Sequence, residues 1–288
     1  MDIKQYLAQP GNNFSLKKFK TDDAGGLTSK EEGIKNLEEN IVRMADLQGK
    51  LYAQNQSSLL LIFQGMDGSG KDSAIKHVMS GLNPQGTQVY SFKQPSKEEM
   101  DHDFLWRINK ALPEKGNIGI FNRSHYEEVL IVRVHNLIGG EKIPGRFAND
   151  NIWDLRYEQI NAFEKYLYEN GTRIIKFFLH ISKDEQKNRF LKRIDDPARN
   201  WKIVEEDVTE RRYWDEYQKC YEKAIKATSQ KSAPWYVVPG DKKWFARLLI
   251  SEVIVKTMEN INPEYPVINR EQKQNLAKIR ETLLNEKS

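Results

Sequence analysis

The chain has a single cysteine, Cys220, in 288 residues. One thiol cannot close an internal disulfide, so no covalent staple is expected, and a reducing compartment such as the cytoplasm suits the chain. Cys220 sits in a polar, helix-patterned stretch and reads as a structural thiol rather than a nucleophile. No apolar run approaches the roughly 20 residues that cross a bilayer, so no membrane span or membrane partner is expected. The first residues lack the basic start and apolar stretch of a secretory signal. Neither sign of charge dominates: 45 basic and 41 acidic residues leave +4, far from a nucleic-acid coat. Repeats and low-complexity tracts are absent too. What is present, 39% hydrophobic and 10% aromatic residues, is enough for a sizeable core in a soluble globular protein.

Apolar residues at Ile34, Leu37, Ile41, Met44, Leu47 and Leu51 recur at three- and four-residue steps, which predicts a helix from Ser29 to about Asn55. Ser29 with Glu32 reads as its capping box. "SLLLIFQG" then predicts a strand buried on both faces, followed by a helix in "KDSAIKHVMSGL" that ends near Gly81. "TQVYSF", "NIGIFN", "TRIIKFFLHIS" and "WYVVPG" supply four more strands, and "WDLRYEQINAFEKYLYENG" a helix stopped by Gly171. Strands alternating with helices predict a mostly parallel sheet covered on both faces. The expected organisation is an N-terminal arm and helix (1–55), an α/β core (56–260) and a C-terminal extension (261–288).

"GMDGSGKDS", Gly65 to Ser73, follows the first strand and opens a helix, the context that makes a phosphate-binding loop of the pattern G-x-x-x-x-G-K-[ST]. Gly65, Gly68 and Gly70 let backbone N–H groups converge on phosphate oxygens, and Lys71 reaches the phosphate being transferred. Two residues break the pattern. Asp67 puts a carboxylate in an anion cradle, and Asp72 replaces the Ser or Thr that holds magnesium. A carboxylate across a divalent ion from a phosphate is drawn to it rather than repelled, so Asp67 reads as a metal-holding residue. Asp72 is either a second such acid or an ordinary first-turn acid answering the helix dipole.

The second acidic motif is missing. "NIGIFN" ends on Asn122 where a metal-binding aspartate is expected, so Mg2+ would lean on Asp67. Arg123 follows, with a donor fork suited to phosphate. Glu127 and Glu128 are either contacts to a nucleotide or solvated charges, and His125 reads as a packing residue. Between 182 and 218 lies a basic lid: Ser182 and Glu185 cap a helix with Arg189 and Arg193 on one face. Pro197 ends that helix, and Arg199 and Lys202 flank Trp201 in the loop beyond. Asp207 with Glu210 then caps a helix bearing Arg211 and Arg212. Such a lid closes over phosphoryl groups and stabilises their spread charge.

On "QGMDGSGKD", "DHDFLWR", "FNRSHYEEVLIVRVH", "FFLHISKDEQ" and "RIDDPARNWK" the chain resembles polyphosphate kinase family 2, from about Leu47 to about Arg247. The resemblance implies a thymidylate-kinase-like P-loop kinase fold: three αβα layers, a five-stranded mostly parallel sheet and a helical lid. It also implies Mg2+-assisted, reversible phosphoryl transfer between inorganic polyphosphate and nucleotides, by a homo-oligomer, dimer or tetramer. Much of that family has Asp in "FDRSWYNR". "FNRSHYEE" is similar to the class III subgroup, which takes AMP to ADP and ADP to ATP. Carried over by motif, Asp67, Lys71 and Arg123 would stand at the reacting phosphates, joined by Arg189 and Arg193 from the lid. Ser69, Asp72, Ser73, Lys76, Arg199 and Lys202 would join the loop glycines in binding phosphate. Asp103, Asn122, Glu127 and Arg133 would face the nucleotide.

Two other readings fit parts of the sequence. An ATP-dependent nucleoside monophosphate kinase shares fold and lid but normally keeps Ser or Thr at position 72. A non-catalytic polyanion-binding protein could use the basic lid but has no need of Lys71 and Asp67. No nucleic-acid motif is present, so a nucleic-acid partner is not expected.

Overall fold

Short runs rich in β-branched and aromatic residues form β1 (Ser58–Gln64), β2 (Thr87–Ser91), β3 (Ile118–Asn122), β4 (Thr172–His180) and β5 (Trp235–Pro239) of the computed structural model. The structure describes residues 1–9, 11, 14–140, 142–147, 149 and 151–286. The strands run in the order β2-β3-β1-β4-β5, and every pairing is parallel. All of β1 is buried, because side chains alternate between two covered faces. Leu59, Leu61 and Phe63 join Ile120, Ile175 and Phe177 in one core, while Leu60 and Ile62 join Phe121, Ile174 and Phe178 in the other.

The helices are α1 (Lys30–Gln54), α2 (Lys71–Val78), α3 (Lys97–Met100), α4 (Trp106–Asn109), α5 (Ile131–Val134), α6 (Ile152–Glu169), α7 (Lys183–Ile194), α8 (Glu205–Thr209), α9 (Trp214–Thr228), α10 (Lys243–Ile261) and α11 (Arg270–Asn285). α1, α2 and α10 cover the first core, and α6 and α9 the second. This is the expected three-layer αβα arrangement. Predicted stops and starts hold locally: Ser29 Oγ accepts from the Glu32 N–H, and Gly171 follows α6 at φ +83°. β3 and β4 flank β1 on opposite sides, so the chain reverses its progress across the sheet there. Open α/β sheets bind ligands beyond the carboxyl ends of such strands.

Four local features go beyond the sequence reading or differ from it. The arm before α1 is docked onto the sheet: the Ala8 N–H donates to Trp235 O at 2.9 Å, and Leu7 bridges Tyr236 antiparallel. Ile3, Tyr6, Ala8 and Leu16 are buried, so this arm covers the outer edge of β5. Their apolar side chains are too sparse to show a period. α2 stops at Val78, and residues 79–82 turn rather than continue the helix. In the lid, Asp207 is the third residue of α8 rather than its N-cap, and its carboxylate closes the helix start by accepting from the Val204 N–H. The tail forms α11, exposed along its whole length.

Candidate active site

The chain leaves β1 at Gln64 and enters α2 at Lys71, with the glycine loop between them. A Cβ on Gly65 would lie 2.9 Å from the Leu179 carbonyl oxygen, so the loop is pressed onto the end of β4. Gly68 sits at φ +77°, where a Cβ would meet the Phe190 ring at 2.9 Å. Only glycine meets both demands. Lys71 is buried and folded back: its Nζ donates to Gly65 O at 2.6 Å and Met66 O at 3.3 Å. Burial pulls the Lys71 ammonium below its ordinary pKa, against the opposing pull of Asp67. Ser69 is buried, and its hydroxyl has no hydrogen-bond partner.

Arg189 departs from its expected lid role. Its Nη1 donates to Gly68 O (3.0 Å) and Ser69 O (2.7 Å), its Nη2 to Gly240 O and Asp241 O, and its Nε to Glu185 Oε1 (2.7 Å). All five donors are occupied, so the residue bolts the glycine loop to the turn after β5 instead of reaching a phosphate. The reason is position: α7 begins directly beside the loop, and its first two turns face backbone carbonyls. Gln186 adds a 2.6 Å bond to Asp67 O and is itself fixed by Arg211.

The turn after β3 faces the loop. Arg123 Nη2 donates to Asp67 Oδ1 at 2.6 Å, and Asn122 Nδ2 to Asp72 Oδ1 at 2.6 Å. The second bond has only one possible direction, because a carboxylate accepts and does not donate. The acid expected at the end of β3 has in effect moved to the first turn of α2, with the strand's amide donating to it. Glu127 accepts from Gln64 Nε2 at 3.0 Å. Burial would raise the Asp67 pKa, but Lys71, then Arg123 and Arg193, hold it below the usual carboxylate range.

Arg193 lies over the Phe190 ring, which itself meets the loop at Gly68, and its charge helps to lower the Asp67 pKa. Burial, with Asp67 opposite, pushes the Asp207 carboxyl up. Arg199 pairs with Asp196 and Lys202 lies over Trp201; both basic groups and Lys76 are exposed. Ser73 Oγ accepts from Arg247 Nη2 at 2.9 Å. Asp103 caps the turn before α4 and lines a cavity of about 620 Å³ with Glu99, Phe104, Arg107, Glu128 and Arg156. Arg133 is turned the other way, donating to the Tyr157 hydroxyl and lying over Trp153. Gln186 and Arg247 escaped the sequence reading, while Arg211, expected among the lid arginines, donates to Lys183 O and Gln186 Oε1. Arg247 had a faint signal in "DKKWFAR", where Lys243 and Arg247 are four apart on one helix face.

The donor set suits a hard divalent cation. Among the described residues no three metal-ligating side chains cluster, yet Asp67 and Asp72 both act on Lys71 and each keeps an oxygen clear of its partner's bond. Mg2+ typically takes one or two carboxylates and fills its remaining positions with water and substrate phosphates.

Residues 27–266 match the family described as Polyphosphate kinase 2 (PPK2). An ADP-polyphosphate phosphotransferase of Rhodopseudomonas palustris is 49% identical over 98% of this chain and 98% of its own. An AMP/ADP-polyphosphate phosphotransferase of Meiothermus ruber is 43% identical over 92% of this chain and 96% of its own. The crystal structure of polyphosphate kinase 2 from Arthrobacter aurescens TC1 superposes with a TM-score of 0.85 at 39% identity, covering 94% of this chain and 97% of that one.

Proposed function

The chain belongs to the polyphosphate kinase 2 family, and from that premise we propose that it transfers the terminal phosphoryl group of inorganic polyphosphate to AMP and to ADP, reversibly, giving ADP and ATP. The observation that carries this reading is the pair of acids in the glycine loop and the first turn of α2, Asp67 and Asp72, tied to Arg123 and Asn122 at the end of β3. Acids in a phosphate loop favour a donor that arrives dense with divalent cations, and polyphosphate is such a donor. The relatives support the two acceptors differently: the Rhodopseudomonas protein is named for ADP, the Meiothermus protein for both.

In this mechanism Lys71 turns from the Gly65 and Met66 carbonyls to the donor's terminal phosphate. Arg123 and Arg193 stabilise the charge that spreads over the transferred group, with the loop N–H groups as fixed donors. Arg189 keeps the loop in shape. Asp103 and Phe104, at the 620 Å³ cavity, take the nucleoside of the acceptor, and Glu127 is suited to its amino or ribose groups. Asp67, with Asp72 beside it, is suited to hold Mg2+, which when bound draws charge from the phosphoryl oxygens. The nucleophile is a nucleotide phosphate oxygen, largely ionised at neutral pH because the second pKa of a phosphate monoester is about 6. No general base is required, and positioning carries the rate. Lys76, Arg199 and Lys202 are exposed basic groups suited to the polyphosphate chain, with Arg247 joining them from α10.

A homo-oligomer, dimer or tetramer, is supported by α11, whose Leu276, Ile279 and Leu283 form an exposed apolar stripe. Cytoplasmic residence is supported by the lone, buried thiol of Cys220.

The test is to incubate the purified protein with Mg2+, polyphosphate and AMP, without ATP, and to follow nucleotides by chromatography. ADP followed by ATP is the expected result. Turnover of ADP alone would restrict the acceptor. Activity only with ATP as donor would make the chain a nucleoside monophosphate kinase, and polyphosphate binding without any transfer would make it a polyanion-binding protein.

A further inference from the structure

Arg123 stands in the left-handed region at φ +63°. A bulky residue with a branched, charged head rarely settles there, and such conformations persist only where the surroundings over-determine them. Backbone bonding accounts for one restraint: the Arg123 N–H donates to Phe63 O at 3.0 Å, ending the β1–β3 ladder. The stronger restraint lies two and three residues on. His125 and Tyr126 are sunk into the interior at 2% and 0% exposure, beneath a turn whose other side carries Asn122, Arg123 and Glu127.

The Tyr126 hydroxyl donates to Glu164 Oε1 at 2.9 Å and accepts from Lys176 Nζ at 2.8 Å. His125 Nε2 lies 3.4 Å from the same Glu164 oxygen. Lys176 also donates to Glu164 Oε2 and to Thr228 O, so each of its three protons has a partner. The Lys176 and Glu164 side chains are 0% and 2% exposed. A buried ion pair is weak evidence of stabilisation, since apolar groups of the same shape often serve the fold as well or better. What apolar groups cannot supply is a fixed address for a tyrosine hydroxyl and an imidazole. Both belong to the turn that aims Arg123.

We propose that Lys176 and Glu164 are positioning residues: by gripping Tyr126 and His125 from α6 and β4, the pair holds Arg123 in its left-handed conformation against Asp67. The proposal rests on Arg123 serving the phosphoryl transfer described above. Neither Lys176 nor Glu164 touches the loop; both act through the turn.

The test replaces both partners together, Lys176→Met with Glu164→Leu, so that no lone charge is left buried. Thermal unfolding and circular dichroism are expected to report a folded chain. kcat for polyphosphate-driven phosphorylation of ADP is expected to fall on the order of 10- to 100-fold, as for a mispositioned group, with KM for ADP within about 2-fold of its original value. Arg123→Ala, costly in the native background, should add little in the double variant, because the arginine's contribution is already lost. A structural role alone would leave the two losses multiplicative. The Arg123 side-chain resonance in a 15N NMR spectrum, ordered by Asp67 in the native chain, should move to the position of a free arginine. A folded double variant with native kcat, or an Arg123→Ala loss equal in both backgrounds, overturns the proposal. If the double variant does not fold, Tyr126→Phe removes only the hydroxyl. It should show the same non-additivity at smaller amplitude, and native kcat with multiplicative losses there is equally fatal. A native chain that transfers no phosphate refutes the functional reading alone, and the NMR resonance still decides the positioning.

Discussion

The glycine loop and the turn after β3 face one reacting space and are held by opposite means. The loop is held through its backbone: carbonyls from Gly65 to Ser69 accept from Lys71, Gln186 and Arg189. The turn is held through its side chains, with Tyr126 and His125 set into a buried polar network supplied by α6 and β4. A backbone-held segment needs glycines at fixed spacing and therefore writes a motif. A segment held by side chains draws on residues far apart in sequence, so its own motif, "FNRSHYEE", does not disclose what holds it. The loop can adapt to phosphates by shifting donors; the turn can only be right or wrong.

The most damaging way to break the comparison is to take the loop's bolt away. Arg189→Ala leaves buried carbonyls at Ser69 and Gly240, and a half-buried one at Gly68, without this donor, and each buried unsatisfied group costs about 1–3 kcal/mol. The variant should lose about 3 kcal/mol or more in chemical denaturation, together with all measurable transfer. Arg189→Lys should not restore it, because one ammonium cannot serve carbonyls on two separate turns. Were Arg189→Ala stable but slow, the side chain would belong to the chemistry, as its place in the sequence suggested.

Next in size is the charge that joins the two regions. Asp67→Asn keeps the shape of the contact to Arg123 and removes its negative charge. Transfer should fall on the order of 10²-fold or more, by analogy with losing one fixed electrostatic partner of a transition state. Polyphosphate binding, measured by calorimetry, should remain detectable. Full activity in this variant would remove Asp67 from any metal-holding role.

What the sequence disclosed follows the same division. The glycine loop, the five strands, the caps at Ser29 and Ser182 and the stop at Gly171 all depend on local backbone needs and could be read directly. Arg189 and Arg193 were rightly placed on one helix face, but which of them looks down at the loop and which looks forward is set by how α7 docks. The docking of the N-terminal arm leaves no trace in the sequence, because its four buried side chains follow no period. The network under the turn had one legible trace. Lys176 interrupts "IIKFFL", and a charge in a strand buried on both faces demands a partner. Its partner, Glu164, lies on a helix whose other acids are solvated, and nothing local distinguishes it.

A smaller effect sharpens the view of the turn. Glu127 is bound by Gln64, at the seam between the two regions. Glu127→Ala should change the ratio of AMP to ADP turnover several-fold while altering polyphosphate affinity little. An unchanged ratio would leave the glutamate as a brace for Gln64.

The smallest effect tests whether the two regions share a weakness. A buried histidine, His125, lies under the turn, and a half-buried one, His180, follows the β4 carbonyl against which Gly65 is pressed. Burial pushes His180, next to the carbonyl that Gly65 presses on, down to about 4, against the opposing charge of Asp241. Burial also holds His125, under the turn, below its ordinary value, against the pull of Glu164. A histidine kept neutral in the native state binds its proton more readily when unfolded. Its contribution is therefore intact above about pH 6.5 and is lost as the pH falls toward the native pKa. Each group can add a slope of at most about 1.4 kcal/mol per pH unit in that window. Glu164 behaves differently: Lys176 overcomes the effect of burial and holds its carboxyl below the ordinary 4.5, so its contribution persists until the pH drops below that value. Denaturation between pH 6.5 and 4.5 should thus weaken the chain through the histidines alone of these three. His180→Phe should flatten the slope, and His125→Phe should flatten it further. If only His125→Phe does so, the loop does not depend on a neutral histidine, and the acid sensitivity belongs to the turn.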